Sequence, residues 1–212
     1  NIYLIERKFK IMKKTITLLS ILTLILIPFE IKSQDKDYPW QISFGANAVD
    51  IEADTNTSIT EFFNVDGNWN VSKSPISMLS VSKYVGQNFS FGVGASFNSI
   101  SKYATGLELS ETTNDYFSID AMLKYDLSDL FTLGKLEPFV GIGPGYTWFE
   151  DQKYFTGNLS LGVNYWFSDV FGLTLMADYK NNYDDIRESL KYDEGGKMRW
   201  SAMFVIKFGK SK

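Results

Sequence analysis

An all-β fold is expected from this sequence: eight antiparallel strands closed up-and-down into a transmembrane β-barrel, preceded by a cleavable signal peptide. Three observations predict it. Hydrophobic residues make up 44% of the 212, yet the mean hydropathy is −0.13, so apolar and polar side chains must interleave. The interleaving has a period of two, which is the side-chain repeat of a strand. Connections between the alternating segments are short at one end and mostly longer at the other, as in barrels that cross a membrane.

The leader comes first. Met12-Lys13-Lys14 is a charged start, and Thr15 to Phe29 (TITLLSILTLILIPF) is an apolar run that ends at Pro28 and Phe29. This is the pattern of a secretory signal peptide. Its 15 residues fall short of the roughly 20 that a membrane helix needs, which argues against an uncleaved anchor. Residues 1–11 begin without Met and are expected to be an upstream extension, residues 12–33 the signal peptide with cleavage after Ser33, and residues 34–212 the barrel. The absence of Cys excludes lipid attachment at a cysteine.

The strands follow in order. Trp40 to Ala48 puts Trp40, Ile42, Phe44, Ala46 and Ala48 on one face and Gln41, Ser43, Gly45 and Asn47 on the other. The same alternation continues through Ile76–Tyr84, Phe89–Ser99, Tyr116–Leu127, Glu137–Phe149, Tyr154–Phe167, Phe171–Lys180 and Lys197–Phe208. Phe89, Phe91, Val93, Ala95 and Phe97 set the pattern most plainly, and Trp200, Ala202, Phe204, Ile206 and Phe208 repeat it in the last segment. Most segments reach or exceed the ~9–11 residues that a tilted strand needs to cross a bilayer. Val85–Asn88 and Ser168–Val170 read as tight turns and Ser128–Leu136 as a modest one, whereas Asp50–Pro75, Ile100–Asp115, Glu150–Lys153 and Asn181–Gly196 are mostly longer and polar.

Which face meets what decides between architectures. A soluble barrel or β-sandwich hides its apolar face and wets its polar one. Here the polar row is Gly, Ser, Asn, Asp and Lys, too small and too polar for a dry core, so the apolar row faces lipid. Alternation then sends Asp120, Lys124, Asp126, Glu137, Asp178, Lys180 and Lys207 into the lumen, which in an eight-stranded barrel is only wide enough for side chains to fill. Lys124 and Glu137 are expected to pair near the short-turn rim and, with Asp126 and Lys207, to plug it. Trp40, Tyr84, Tyr125, Trp148, Tyr179, Trp200 and Phe208, near strand ends, are expected at the two membrane interfaces.

Several features exclude or mislead. Without His or Cys there is no imidazole base, thiol nucleophile or thiolate metal site. Six of the 21 basic residues precede Gln34, leaving 15 against 23 acidic ones, and so acidic a body is a poor match for nucleic acid. Gly141-Ile142-Gly143-Pro144-Gly145 has the look of a phosphate loop, but no helix pattern follows it, and small lumen residues or close strand packing explain it better. The acidic run Asp184, Asp185, Glu188, Asp193 and Glu194 lacks calcium-ligand spacing and reads as solvated loop charge.

Glu61–Asn70 (EFFNVDGNWN), Glu137–Gln152 (EPFVGIGPGYTWFEDQ), Leu159–Leu173 (LSLGVNYWFSDVFGL) and the ending Val205–Lys212 (VIKFGKSK) together resemble the N-terminal barrel of OmpA-type outer-membrane proteins of Gram-negative bacteria. The resemblance runs from about Trp40 to Gly209. It implies an outer-membrane location, outer-membrane lipid and the barrel-assembly machinery as partners, and a porin-like or structural role with at most a narrow pore. Family members often continue into calcium-binding repeats and a peptidoglycan-binding domain, whereas this chain stops at Lys212, so peptidoglycan tethering is not expected. Enzymatic barrels resembling lipid A acyltransferases or deacylases would need a catalytic His, so the chain is expected not to be an enzyme. No cofactor, metal or nucleic acid is expected, and the protein should be a monomer. A surface adhesin or receptor acting through extracellular loops, and a soluble periplasmic lipid carrier, are the alternatives.

Overall fold

The computed structural model describes residues 37–53, 69–102, 104–105, 108–109, 113–131, 133–149, 152–182 and 196–209. The expected leader, residues 12–33, the extension before it and the acidic run from Asp184 to Glu194 lie outside these residues.

Every described element is a strand. In chain order they are β1 (Trp40–Ala53), β2 (Asn70–Val71), β3 (Met78–Gly86), β4 (Phe89–Ile100), β5 (Ala104–Thr105), β6 (Glu108–Leu109), β7 (Asn114–Asp126), β8 (Leu136–Phe149), β9 (Gln152–Trp166), β10 (Phe171–Asn182) and β11 (Gly196–Phe208). Eight of them, β1, β3, β4 and β7 to β11, each pair antiparallel with the next, and β11 returns to pair with β1 from Trp40↔Phe208 to Ala53↔Gly196. The sheet is thereby closed, which is the one arrangement that leaves a sheet no long bare edge. β2 lies against β1, and β5 and β6 pair with each other. The eight long strands coincide with the eight alternating segments, each end within a few residues of where the pattern placed it, except that β1 runs on to Ala53.

Alternation is translated into two surfaces. Outward rows carry exposed apolar side chains around the wall: Leu79, Val81, Phe91, Val93, Phe117, Ile119, Ile142, Leu159, Leu161, Leu175 and Phe204. Ile142 keeps 64% and Leu161 62% of their surface exposed. A soluble protein rarely leaves so continuous an apolar surface uncovered. Inward rows carry the polar residues, and these are buried: Ser43, Asn47, Ser96, Asn98, Ser118, Asp120, Asn158, Asp178, Lys180 and Arg199 among them.

Local chemistry shapes the ladders. At the β3–β4 hairpin Gln87 and Asn88 both take positive φ, 51° and 65°, the two left-handed residues of a tight hairpin whose twist suits the flanking strands. The Asn88 side-chain amide donates to the Asp129 carboxylate in the next turn along the rim. Between β7 and β8 the paired residues stop at Asp120↔Gly145 and resume at Leu123↔Ile142. Pro144, in the gap, has no N–H to give. Gly143 beside it lies so close to β7 that an added Cβ would overlap the Ala121 carbonyl. The Gly-rich segment 141–145 is thus a strand whose glycines serve close packing, with no phosphate cradle.

Candidate functional site

The lumen holds the chemistry of this protein, in layers stacked along the barrel. At its centre is an ionic cluster whose four charged groups come from three strands. Arg199 of β11 donates from Nε and Nη2 to Asp178 Oδ2 on β10, at 2.9 and 2.7 Å. Its Nη1 donates to Asp120 Oδ2 on β7 at 2.7 Å, and to the hydroxyls of Ser96 and Ser118 at 2.7 and 3.1 Å. Lys180 Nζ donates to the other oxygen of Asp120 at 2.6 Å. Two carboxylates face two cations, so the cluster is neutral. Asn158 of β9 donates to Asp120 at 2.9 Å, and Ser160 donates to Asp178. Buried charges persist only with this degree of pairing and hydrogen bonding.

Toward the long-connection rim, Asn47 and Asn98 take over. Asn98 Nδ2 donates to Asn47 Oδ1 at 2.9 Å and to the Asn70 carbonyl at 2.7 Å, while Asn47 Nδ2 donates to the Ser77 carbonyl at 3.0 Å. Above them Val49, Ile100, Tyr116 and Phe149 pack as an apolar cap. Toward the short-turn rim, Met78, Phe139, Met176 and Met203 form an apolar band. Unbranched thioethers fill irregular space of this kind well. Beyond the band, Lys207 Nζ lies 3.9 Å from the centre of the Trp166 ring, and the Trp166 indole donates to Glu137.

Two small cavities lie among the described residues of the bore. A cavity of about 30 Å³ near the short-turn rim is lined by Gln41, Ser82, Tyr84, Lys124, Asp126 and Asn164, and one of about 20 Å³ lies among Met78, Met122, Met176, Asp120 and Arg199. Each has room for only one or two waters.

All seven predicted lumen charges lie on inward rows, but they do not meet as one plug. Asp120, Asp178 and Lys180 join the central cluster. Asp126 and Lys124 line the lower cavity, with Lys124 Nζ 4.8 Å from the centre of the Phe139 ring, and Glu137 and Lys207 meet at Trp166. The expected Lys124–Glu137 pair is not made. In the β7–β8 register Lys124 stands opposite Gly141 and Asp126 opposite Phe139, so Glu137 lies four residues beyond Lys124, about 13 Å along the ladder. Arg199, the hub, was not among the predicted residues, although the alternation that turns Lys207 and Ser201 inward turns it inward too.

Of the interface aromatics, Trp40, Tyr125 and Phe208 face outward at the short-turn rim, and Trp148, Tyr179 and Trp200 face outward toward the other rim. Phe89 and Tyr125 pack at 4.8 Å, and Phe117 and Trp148 at 5.1 Å. Tyr84 is the exception. It falls on the inward row of β3 with Ser82 and lines the lower cavity, because parity along the strand, not residue type, decides the face.

The packing makes one small substitution costly. A Cβ on Gly145 would overlap Asp120 Oδ1 and crowd Asn158 and Thr156, so Gly145→Ala is expected to destabilise the barrel by about 1–3 kcal/mol, the usual cost of overpacking. Urea titration of the refolded protein measures it. A stability equal to the unsubstituted chain would show that the cluster has slack.

No protein-family model and no curated protein matches the chain. Its fold, however, is similar to solved structures. Neisserial surface protein A is 14% identical with a TM-score of 0.55, covering 80% of this chain and 97% of that one. The outer membrane protein OprG from Pseudomonas aeruginosa is 13% identical with a TM-score of 0.52, covering 84% and 99%. The fold is that of the small eight-stranded outer-membrane barrels. The outer membrane enzyme PagL is also similar, at 14% identity and a TM-score of 0.44, covering 79% and 99%. The expectation that the chain is not an enzyme is corrected: its fold gives no answer either way.

Proposed function

We propose that this chain is an integral outer-membrane barrel whose lumen is closed to solutes and which holds the segments at its long-connection rim at the cell surface, where contacts with the outside are made. The filled lumen supports this reading best. An apolar band, an ionic cluster and an asparagine layer lie across the same bore, and the cavities between them hold a few waters at most. Continuous exposed apolar rows on the outside supply the lipid-facing surface. A soluble lipid carrier would need an empty apolar interior, and the described lumen is polar and filled.

The test is electrical. Refolded into a planar bilayer, the protein should give no steady conductance, and Phe139→Ala with Met203→Ala should introduce small steps by thinning the apolar band. Large steady conductance from the unsubstituted chain would replace this reading with a true pore. Heat-modifiable migration on a denaturing gel provides the independent check that the barrel has formed.

A further inference from the structure

On the outward rows of the eight long strands, the basic side chains among the described residues are Lys83 and Lys153, one toward each rim. Lys153 follows Glu150 and Asp151 in the chain, whereas Lys83 has no acid within ten residues of it. Among residues whose side chains are described, the acids on outward rows, Asp50 and Asp115, stand at the opposite rim; Asp37 precedes Trp40 by three residues on this side, and Lys83 makes no ion pair with it or with any other described residue. It lies on β3 directly between two rings, paired with Trp40 of β1 and Phe91 of β4, and its Nζ is 5.2 Å from the centre of the Trp40 ring.

Trp40 is itself held in place. Its ring stacks on Phe208 across the closing ladder, with centroids 6.4 Å apart and planes 17° from parallel. Gly209, at φ +84°, leaves no Cβ to strike the indole as the chain passes over it. Trp40 remains 38% exposed, and its indole N–H has no protein acceptor among the described residues. Two donors, an ammonium beside the ring and the indole N–H at the edge of that ring, thus both stand at the short-turn rim. Away from the rim the wall continues as Val81, Leu79, Phe91 and Val93, all exposed and apolar.

We propose that Lys83 and Trp40 form a docking site for the phosphate headgroup of an anionic diacyl phospholipid. The phosphate sits between the ammonium and the indole N–H, and an acyl chain runs along Val81, Leu79 and Phe91. An anionic lipid is favoured over a zwitterionic one because the site brings one positive charge and no negative one. The proposal rests on the reading of the chain as a membrane barrel.

The full chain is refolded into vesicles of equal parts phosphatidylglycerol and phosphatidylcholine, and the relative retention of the two is read with spin-labelled lipids. A preference for phosphatidylglycerol of about five-fold at the site is expected, the effect of one lysine at an anionic surface. Lys83→Met should abolish the preference, Lys83→Arg should keep it, and Lys153→Met should leave it unchanged. Equal retention by the inserted native chain, or a preference that survives Lys83→Met in a protein that still shows heat-modifiable migration, would overturn the site alone. Failure of the native chain to insert would overturn the membrane reading and the site with it.

Discussion

Replacing Arg199 by methionine is expected to lower the unfolding free energy by about 3–5 kcal/mol, the cost of removing one partner from a buried ion pair. Arg199 is 2% exposed and gives five hydrogen bonds to four side chains on β4, β7 and β10. Without it Asp120 keeps Lys180 and Asn158, but among the described residues Asp178 is left with the Ser160 hydroxyl as its side-chain hydrogen-bond donor. A carboxylate in that position is a charge removed from water with almost nothing in return. The second substitution separates charge from shape: Asp178→Asn added to Arg199→Met removes the stranded charge and should restore most of the loss. Urea unfolding in vesicles followed by tryptophan fluorescence measures all three chains. A loss below about 1 kcal/mol, typical of a solvent-exposed pair, would mean that water enters the bore and that the cluster is hydrated.

Leu159→Arg tests the other surface. Leu159 is the middle residue of β9, 58% exposed, with Ile142 and Tyr179 as its cross-strand neighbours on the outward face. An arginine there sits at the depth where lipid cannot solvate it, and about 2–4 kcal/mol of folding free energy should be lost. At Phe208, on the rim, the same change should cost about 0–1 kcal/mol, since the side chain reaches headgroups. Refolding titrations of the two variants give the comparison directly. Equal costs at both depths would mean that the outward rows do not span a bilayer in this orientation. Ser96→Arg, on the inward face, is expected to be costly for a different reason. Ser96 is fully buried and receives a hydrogen bond from Arg199, so a second guanidinium would meet the first.

The contrast shows what a period of two can and cannot say. It located the eight long strands, because a strand with one face in lipid and one in the lumen must alternate without a break, and that signal is written residue by residue. It assigned Asp120, Asp178 and Lys180 to the inside for the same reason. Alternation carries no information about height, however, and so it placed Lys124 beside Glu137 when the register sets them on different levels of the bore. Register comes from the turns and from the whole closed ladder, and no single segment contains it. Tyr84 was assigned to the interface on its ring, although two positions after Ser82 it has to point inward. Arg199 has the same inward parity as Ser201 and Lys207, so alternation alone is enough to turn it into the bore. That the bore is narrow enough for side chains to fill follows from the strand count, but how they fill it does not: Gly145 is glycine because Asp120 occupies the space next to it.

The ladder that joins β1 to β11 also dictates an order of events during biogenesis. Every other pairing in the wall links strands that follow one another in the wall's chain order and needs only those two strands. Trp40 must wait for Phe208, the first strand for the last. Throughout that interval two strand edges display unpaired N–H and C=O groups, which hydrocarbon cannot satisfy and which another copy of the chain could. A ribosome that stalls before Gly196 therefore leaves behind not a slightly weaker barrel but an open ribbon with two sticky margins, unable to enter lipid and primed to aggregate. Closure of the wall therefore waits on the thirteen residues of β11.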